Sequence, residues 1–99
     1  MIDALPDLHE GVLQKEELSR LFTDLETLVA IEEIRLKFGA VRHAREGTCT
    51  LTEAYHELTA GTAIGAQILY RYQSIEWIDT LMCNPDRSIR LIRIKAQRQ

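Results

Sequence analysis

Residues 67–94, QILYRYQSIEWIDTLMCNPDRSIRLIRI, decide the fold. Apolar and polar residues alternate along three runs separated by two turn signals, which is the pattern of antiparallel strands half-buried against a core. A turn at Gln73-Ser74 sets Tyr72 opposite Ile75, Arg71 opposite Glu76, Tyr70 opposite Trp77 and Leu69 opposite Ile78. Aromatic pairs then share one face and an opposite-charge pair the other, each such pair contributing about 0.2–1 kcal/mol. Gln-Ser lacks the Gly or Asn that two-residue hairpins favour. A four-residue loop pairing Tyr72 with Trp77 is the alternative, and it leaves the faces unchanged because both loops are even.

The second turn, Asn84-Pro85-Asp86-Arg87, has residues that start and fix tight turns and returns the chain as Ile89–Ile94. One face of the resulting meander carries Ile68, Tyr70, Tyr72, Ile75, Trp77, Leu81, Ile92 and Ile94 and demands a cover. The other is mixed, with Leu69, Ile78, Met82, Ile89 and Leu91 beside Arg71, Glu76, Thr80 and Arg93. Alternation puts Asp79 on the aromatic face, where a carboxylate needs a partner; Arg90, diagonal to it in the simplest register, is the expected one.

Upstream, Leu18, Leu21, Phe22, Leu25, Leu28 and Val29 recur at three and four residues, the stripe of an amphipathic helix. Its start falls near Lys15, with Gln14 as N-cap, Leu13 and Leu18 spaced as a hydrophobic staple, and Glu16 and Glu17 in the first turn. The stripe breaks at Glu32. Residues 31–41 read as a second helical segment with a rotated face of Ile31, Ile34, Phe38 and Val41; alternation of Ile34, Leu36 and Phe38 with Arg35 and Lys37 gives a short strand as the other reading. Thr50-Leu51-Thr52-Glu53 fits a capping box opening a short helix that Gly61 stops.

The expected architecture is therefore α+β: two or three N-terminal helices packed on a C-terminal three-stranded antiparallel meander. In one 99-residue domain, residues 1–13 are an arm, 15–46 a helical region, 52–59 a short helix and 67–94 the meander.

Composition narrows the function classes without choosing one. With 45% hydrophobic and 27% charged residues, the chain is ordinary for a soluble globular domain. No run approaches the ~20 apolar residues of a membrane span, and the first residues lack the basic region and apolar core of a signal peptide. Cys49 and Cys83 stand apart without CxxC spacing, as reduced thiols of a cytoplasmic protein do. The net charge of −3 conceals blocks: residues 34–45 carry Arg35, Lys37, Arg42 and Arg45 and no acid, and residues 87–98 carry five bases and no acid.

Motifs for chemistry are sparse. Glu53 and His56 have the ExxH spacing of di-iron carboxylate bundles, but those need the motif twice with two further Glu, so it reads as a solvated helix face. There is no Gly-rich phosphate loop, nucleophile elbow or zincin helix. We therefore expect no catalytic residues, no metal and no cofactor. The expected function is that of a small non-enzymatic accessory, adaptor or inhibitor-type protein acting through protein–protein contact as a homo-oligomer. The candidate partner-binding residues are Ile34, Phe38, Val41, Ile78, Leu91, Arg35, Lys37, Arg42, Arg45 and Arg93, the apolar ones because two rotated stripes leave apolar surface without a cover in one chain. A winged-helix-like nucleic-acid-binding regulator is the alternative, since two or three helices followed by a hairpin have that order.

Overall fold

The computed structural model describes residues 8–39 and 49–96. Strands β3 (Gly65–Tyr72) and β4 (Ile75–Cys83) form the hairpin in the register read from the sequence, with Tyr70 opposite Trp77 and Arg71 opposite Glu76. Gln73 and Ser74 both take left-handed backbone, φ 53° and 67°. That is the twist a two-residue hairpin imposes, here met without glycine.

The meander is only the middle of a larger sheet. Among the described residues there are two helices, α1 (Lys15–Leu28) and α2 (Leu51–Ala60), and five strands: the two above with β1 (Leu8–Leu13), β2 (Ala30–Lys37) and β5 (Ile89–Lys95). The strands make one antiparallel sheet in the order β1-β5-β4-β3-β2. The fold is α+β, but the expected three-stranded meander under two or three N-terminal helices is corrected twice. Part of the expected arm is β1, an edge strand beside β5. The expected helical region 15–46 ends its helix at Leu28, and Ala30–Lys37 runs as strand β2 beside β3.

The reason for the second correction is packing. Pairing with β3 sets Ile34 beside Ile68 and Leu36 beside Ala66, so Ile34, Leu36 and Phe38 enter the core while Arg35 and Lys37 stay exposed. A helix over the same residues would gather Ile31, Ile34 and Phe38 on a stripe with no surface to meet. The remainder of that region, including Val41, Arg42 and Arg45, lies outside the described residues, as does Arg98 of the C-terminal basic block.

The strand β5 corrects a further expectation. A four-residue turn would put Ile92 and Ile94 on the aromatic face. The turn holds one residue more: Asn84 and Ser88 close it through Asn84 N–H to Ser88 C=O at 2.9 Å, Arg87 donates to Asn84 C=O at 3.0 Å and takes φ 77°, and Cys83 pairs with Ile89. One extra residue turns every side chain of a strand to the other face. Consequently Ile89, Leu91 and Arg93 are buried, and Arg90, Ile92 and Ile94 face the other way.

Both helices lie on the face that holds Ile68, Tyr70, Trp77 and Leu81. Helix α1 begins as expected, with Gln14 N–H donating to Glu17 Oε1 at 2.8 Å, and sends Leu18, Phe22 and Leu25 into the core. Helix α2 is capped reciprocally by Thr50 and Glu53 and stopped by Gly61 at φ 80°. It buries Ala54 and Leu58, and Tyr55 meets Phe22 edge-on at 5.3 Å between centroids. The molecule is 37 × 30 × 21 Å. Its smallest dimension is two layers of about 10 Å each, and among the described residues no layer lies over the second face of the sheet.

Candidate functional site

A buried charged cluster stands out at the centre of the covered face. Arg93, directly across from Asp79, donates through Nε to Oδ1 and through one terminal nitrogen to Oδ2, both at 2.8 Å. Tyr70 OH donates to the same Oδ1 at 2.9 Å. The expected partner, Arg90, instead pairs with Glu10 on the opposite face. Burial lowers the Arg93 pKa, but hydrogen bonding to Asp79 and its charge outweigh that and hold the guanidinium above its ordinary value. Burial, then the charge of Asp79, pushes the Tyr70 hydroxyl far up, so it stays a donor. With both carboxylate oxygens engaged and Asp79 fully buried, the cluster has no open position for a substrate and acts as a structural cross-link between β3, β4 and β5.

The uncovered face is the candidate functional site. Register lines Leu69, Ile78 and Ile94 in a row across β3, β4 and β5, with Thr80 and Ile92 in the next row and Met82, Arg90 and Val12 in the one after. Of these, Val12, Ile94 and Met82 are exposed, at 54%, 43% and 38%. A dent of about 110 Å³ lies among Glu33, Arg35, Gln67, Leu69 and Ile78. The arginines at the flanks are matched within the chain, Arg71 reaching Glu76 at 2.9 Å and Glu32 at 3.3 Å, Arg35 reaching Glu33 at 2.7 Å, and Arg90 pairing with Glu10, while Lys37 makes no ion pair among the described residues. Polar flanks and an apolar middle follow from strand alternation on the side no helix covers.

The structure divides the candidate partner-binding residues. Ile78, Arg35 and Lys37 come together on the uncovered side, Arg35 and Lys37 along the edge strand β2. Ile34, Phe38, Leu91 and Arg93 are interior, at 2%, 7%, 3% and 5% exposure. Ile92, Ile94 and Val12 were missed as members of this face. The signal that would have found the first two is Asp79 itself: only a register placing Arg93 directly opposite gives a buried carboxylate a bidentate partner.

Among the described residues, no group of three or more His, Cys, Asp or Glu could hold a metal ion, and no helix is long and apolar enough to cross a membrane. Cys49 and Cys83 are free thiols, both with pKa raised by burial above the ordinary value. Compared with family models, curated proteins and solved structures, the chain matches none of them.

Proposed function

We propose that this chain is a non-enzymatic contact module of the cytoplasm whose working form is a homodimer, two copies packing their uncovered sheet faces together. The observation that carries the reading is the apolar row of half-buried Leu69 and Ile78 and exposed Ile94 between flanks whose arginines are already neutralised by acids of the same chain. Such a face is close to electrically neutral and suits a second copy of itself, because a two-fold axis brings like surface against like. A nucleic acid would need several unmatched cations there, and among the cations of the described residues on that face Lys37 alone has no ion pair. The winged-helix order also loses its footing, since β2 stands where its second helix was expected.

Area favours the same occupant. Five strands at about 4.8 Å spacing and about eight residues long present roughly 600 Å² in projection, and a corrugated surface of that footprint approaches the ~800 Å² per partner of a stable interface. The sheet edges are poorer sites: β1 is six residues long, and β2 carries charges and a register shift between Ile31 and Glu33, both features that discourage strand addition.

The test is mass in solution. Light scattering after size exclusion at micromolar concentration should give twice the 11.4 kDa of one chain. Ile78→Asp with Ile94→Asp should halve it while the circular dichroism spectrum stays that of the parent. A single-chain mass for the parent, or a dimer indifferent to the two substitutions, overturns the reading.

A further inference from the structure

On the helix side of the sheet, where the amino end of α1, the carboxyl end of α2 and the β4–β5 turn meet, there is a cavity of about 560 Å³. That lies within the ~300–1,000 Å³ of small-molecule sites. Its walls are apolar, formed by Leu13, Leu18, Leu58, Ala63, Ile64 and Ile89, and Ile64 is left 45% exposed. The charged residues lining it are Lys15 and Arg87. Among the described residues no carboxylate lines it. Neither cation is ion-paired among the described residues, which contrasts with the arginines of the open face.

We propose that this cavity binds a small amphipathic carboxylate, an apolar body held against the Leu58 and Ile89 wall and a carboxylate directed to Lys15 and Arg87. The positive end of α1 at Gln14 and Lys15 is offset by the negative end of α2 at Thr59 and Gly61, so the two side-chain cations set the sign of the ligand. Guanidinium matches the planar carboxylate with two parallel donors, and the ammonium adds a point charge. A neutral analogue forgoes both interactions, and a cationic one is repelled. This site lies across the sheet from the proposed dimer face and stands whether or not the chain dimerises.

Cys83 supplies the readout, because it lines the cavity with its thiol donating to Ala63 C=O at 3.4 Å, while Cys49 does not line it and serves as internal control. N-ethylmaleimide labelling of both cysteines in the whole chain is followed by peptide mass spectrometry at mildly alkaline pH. Decanoate, decanol and decyltrimethylammonium are the probes, each below its micelle concentration. Decanoate should slow labelling of Cys83 saturably and leave Cys49 unchanged, decanol should bind more weakly, and decyltrimethylammonium should give no protection. Lys15→Gln with Arg87→Gln, both at exposed positions, should weaken decanoate about tenfold, since two partly exposed ionic contacts together are worth roughly one decade of affinity, and leave decanol as before. No protection by decanoate, equal protection by the cationic probe, or a double variant that binds decanoate as well as the parent would each overturn the proposal.

Discussion

Replacing Arg93 with methionine keeps most of the aliphatic stem in place and removes the guanidinium, so it isolates the charge. Asp79, fully buried, then loses two hydrogen bonds of 2.8 Å and its counter-charge, and of those three hydrogen bonds keeps only that from Tyr70. Removing one partner of a buried pair costs about 3–5 kcal/mol, about a fifth or more of the ~5–15 kcal/mol that holds a small domain together. With a urea slope of about 1.5 kcal/mol per molar, a loss of about 4 kcal/mol moves the midpoint down by about 2.7 M. Urea melts followed by Trp77 fluorescence and circular dichroism together measure this and check that unfolding stays two-state. The triple variant Tyr70→Phe, Asp79→Leu, Arg93→Met removes every polar member of the cluster and should recover most of the loss, as apolar replacement of buried ion pairs does. An Arg93→Met midpoint within about 1 kcal/mol of the parent would refute the reasoning, because no buried, solely compensated carboxylate could tolerate it.

Three further outcomes are expected. Gly65→Ala should cost about 1–3 kcal/mol in the same melts, since a Cβ there would sit 2.7 Å from the backbone oxygen of Leu81, which cannot swing aside; an unchanged midpoint would place the strands further apart. Gln73→Asn with Ser74→Gly should stabilise by about 1 kcal/mol by relieving two left-handed non-glycine residues, and a lower melting temperature would contradict the turn geometry. Hydrogen bonds from the Ser88 side chain, at 2.6 Å, and from its backbone N–H, at 3.0 Å, hold the Asp86 carboxyl below its ordinary value of 3.8. A depressed folded-state pKa contributes stability that is present above the ordinary value and is lost as pH falls through the depressed one. A chemical-shift titration should find that midpoint below 3.8, and Ser88→Ala should raise it; an unmoved midpoint would show that the Ser88 hydroxyl does not set it.

The central hairpin was legible because its pairs are chemically mutual: Tyr70 with Trp77 and Arg71 with Glu76 agree on one register, and the faces survive even an error in loop length. Helix starts were legible for a similar reason, since the Leu13 and Leu18 staple with Glu16 and Glu17 in the first turn, and the Thr50 and Glu53 capping box, are local signals spanning a few residues. Strand β2 was harder. Ile34, Leu36 and Phe38 alternate, but Ile31, Ile34 and Phe38 also fit a helical stripe, and what decides between them is β3, more than 25 positions away. Strand β1 has no local signature at all, with Gly11 inside a short run, and is held as a strand by β5. The candidate face suffered from one residue of turn length between Asn84 and Ser88. That residue moved Arg93 inward and Ile92 and Ile94 outward, so the apolar surface was anticipated while its membership was not. Unmatched cations at a cavity mouth, such as Lys15 and Arg87, leave no trace in sequence, because 72 positions separate them and only folding joins them.

The pairing of β1 with β5 has a consequence for how the chain leaves the ribosome. Translation at roughly 5–20 residues per second delivers Ile89 on the order of 4–15 s after Leu13, and Leu13 waits that long for the strand it will lie against. Strands β2, β3 and β4 emerge in the order in which they pair and can assemble as they appear. When β5 arrives, the strand that will cover its outer edge has already been made, and loop closure and hairpin formation take microseconds. The edge most able to recruit a neighbouring chain is therefore open for far less time than the synthesis that precedes it.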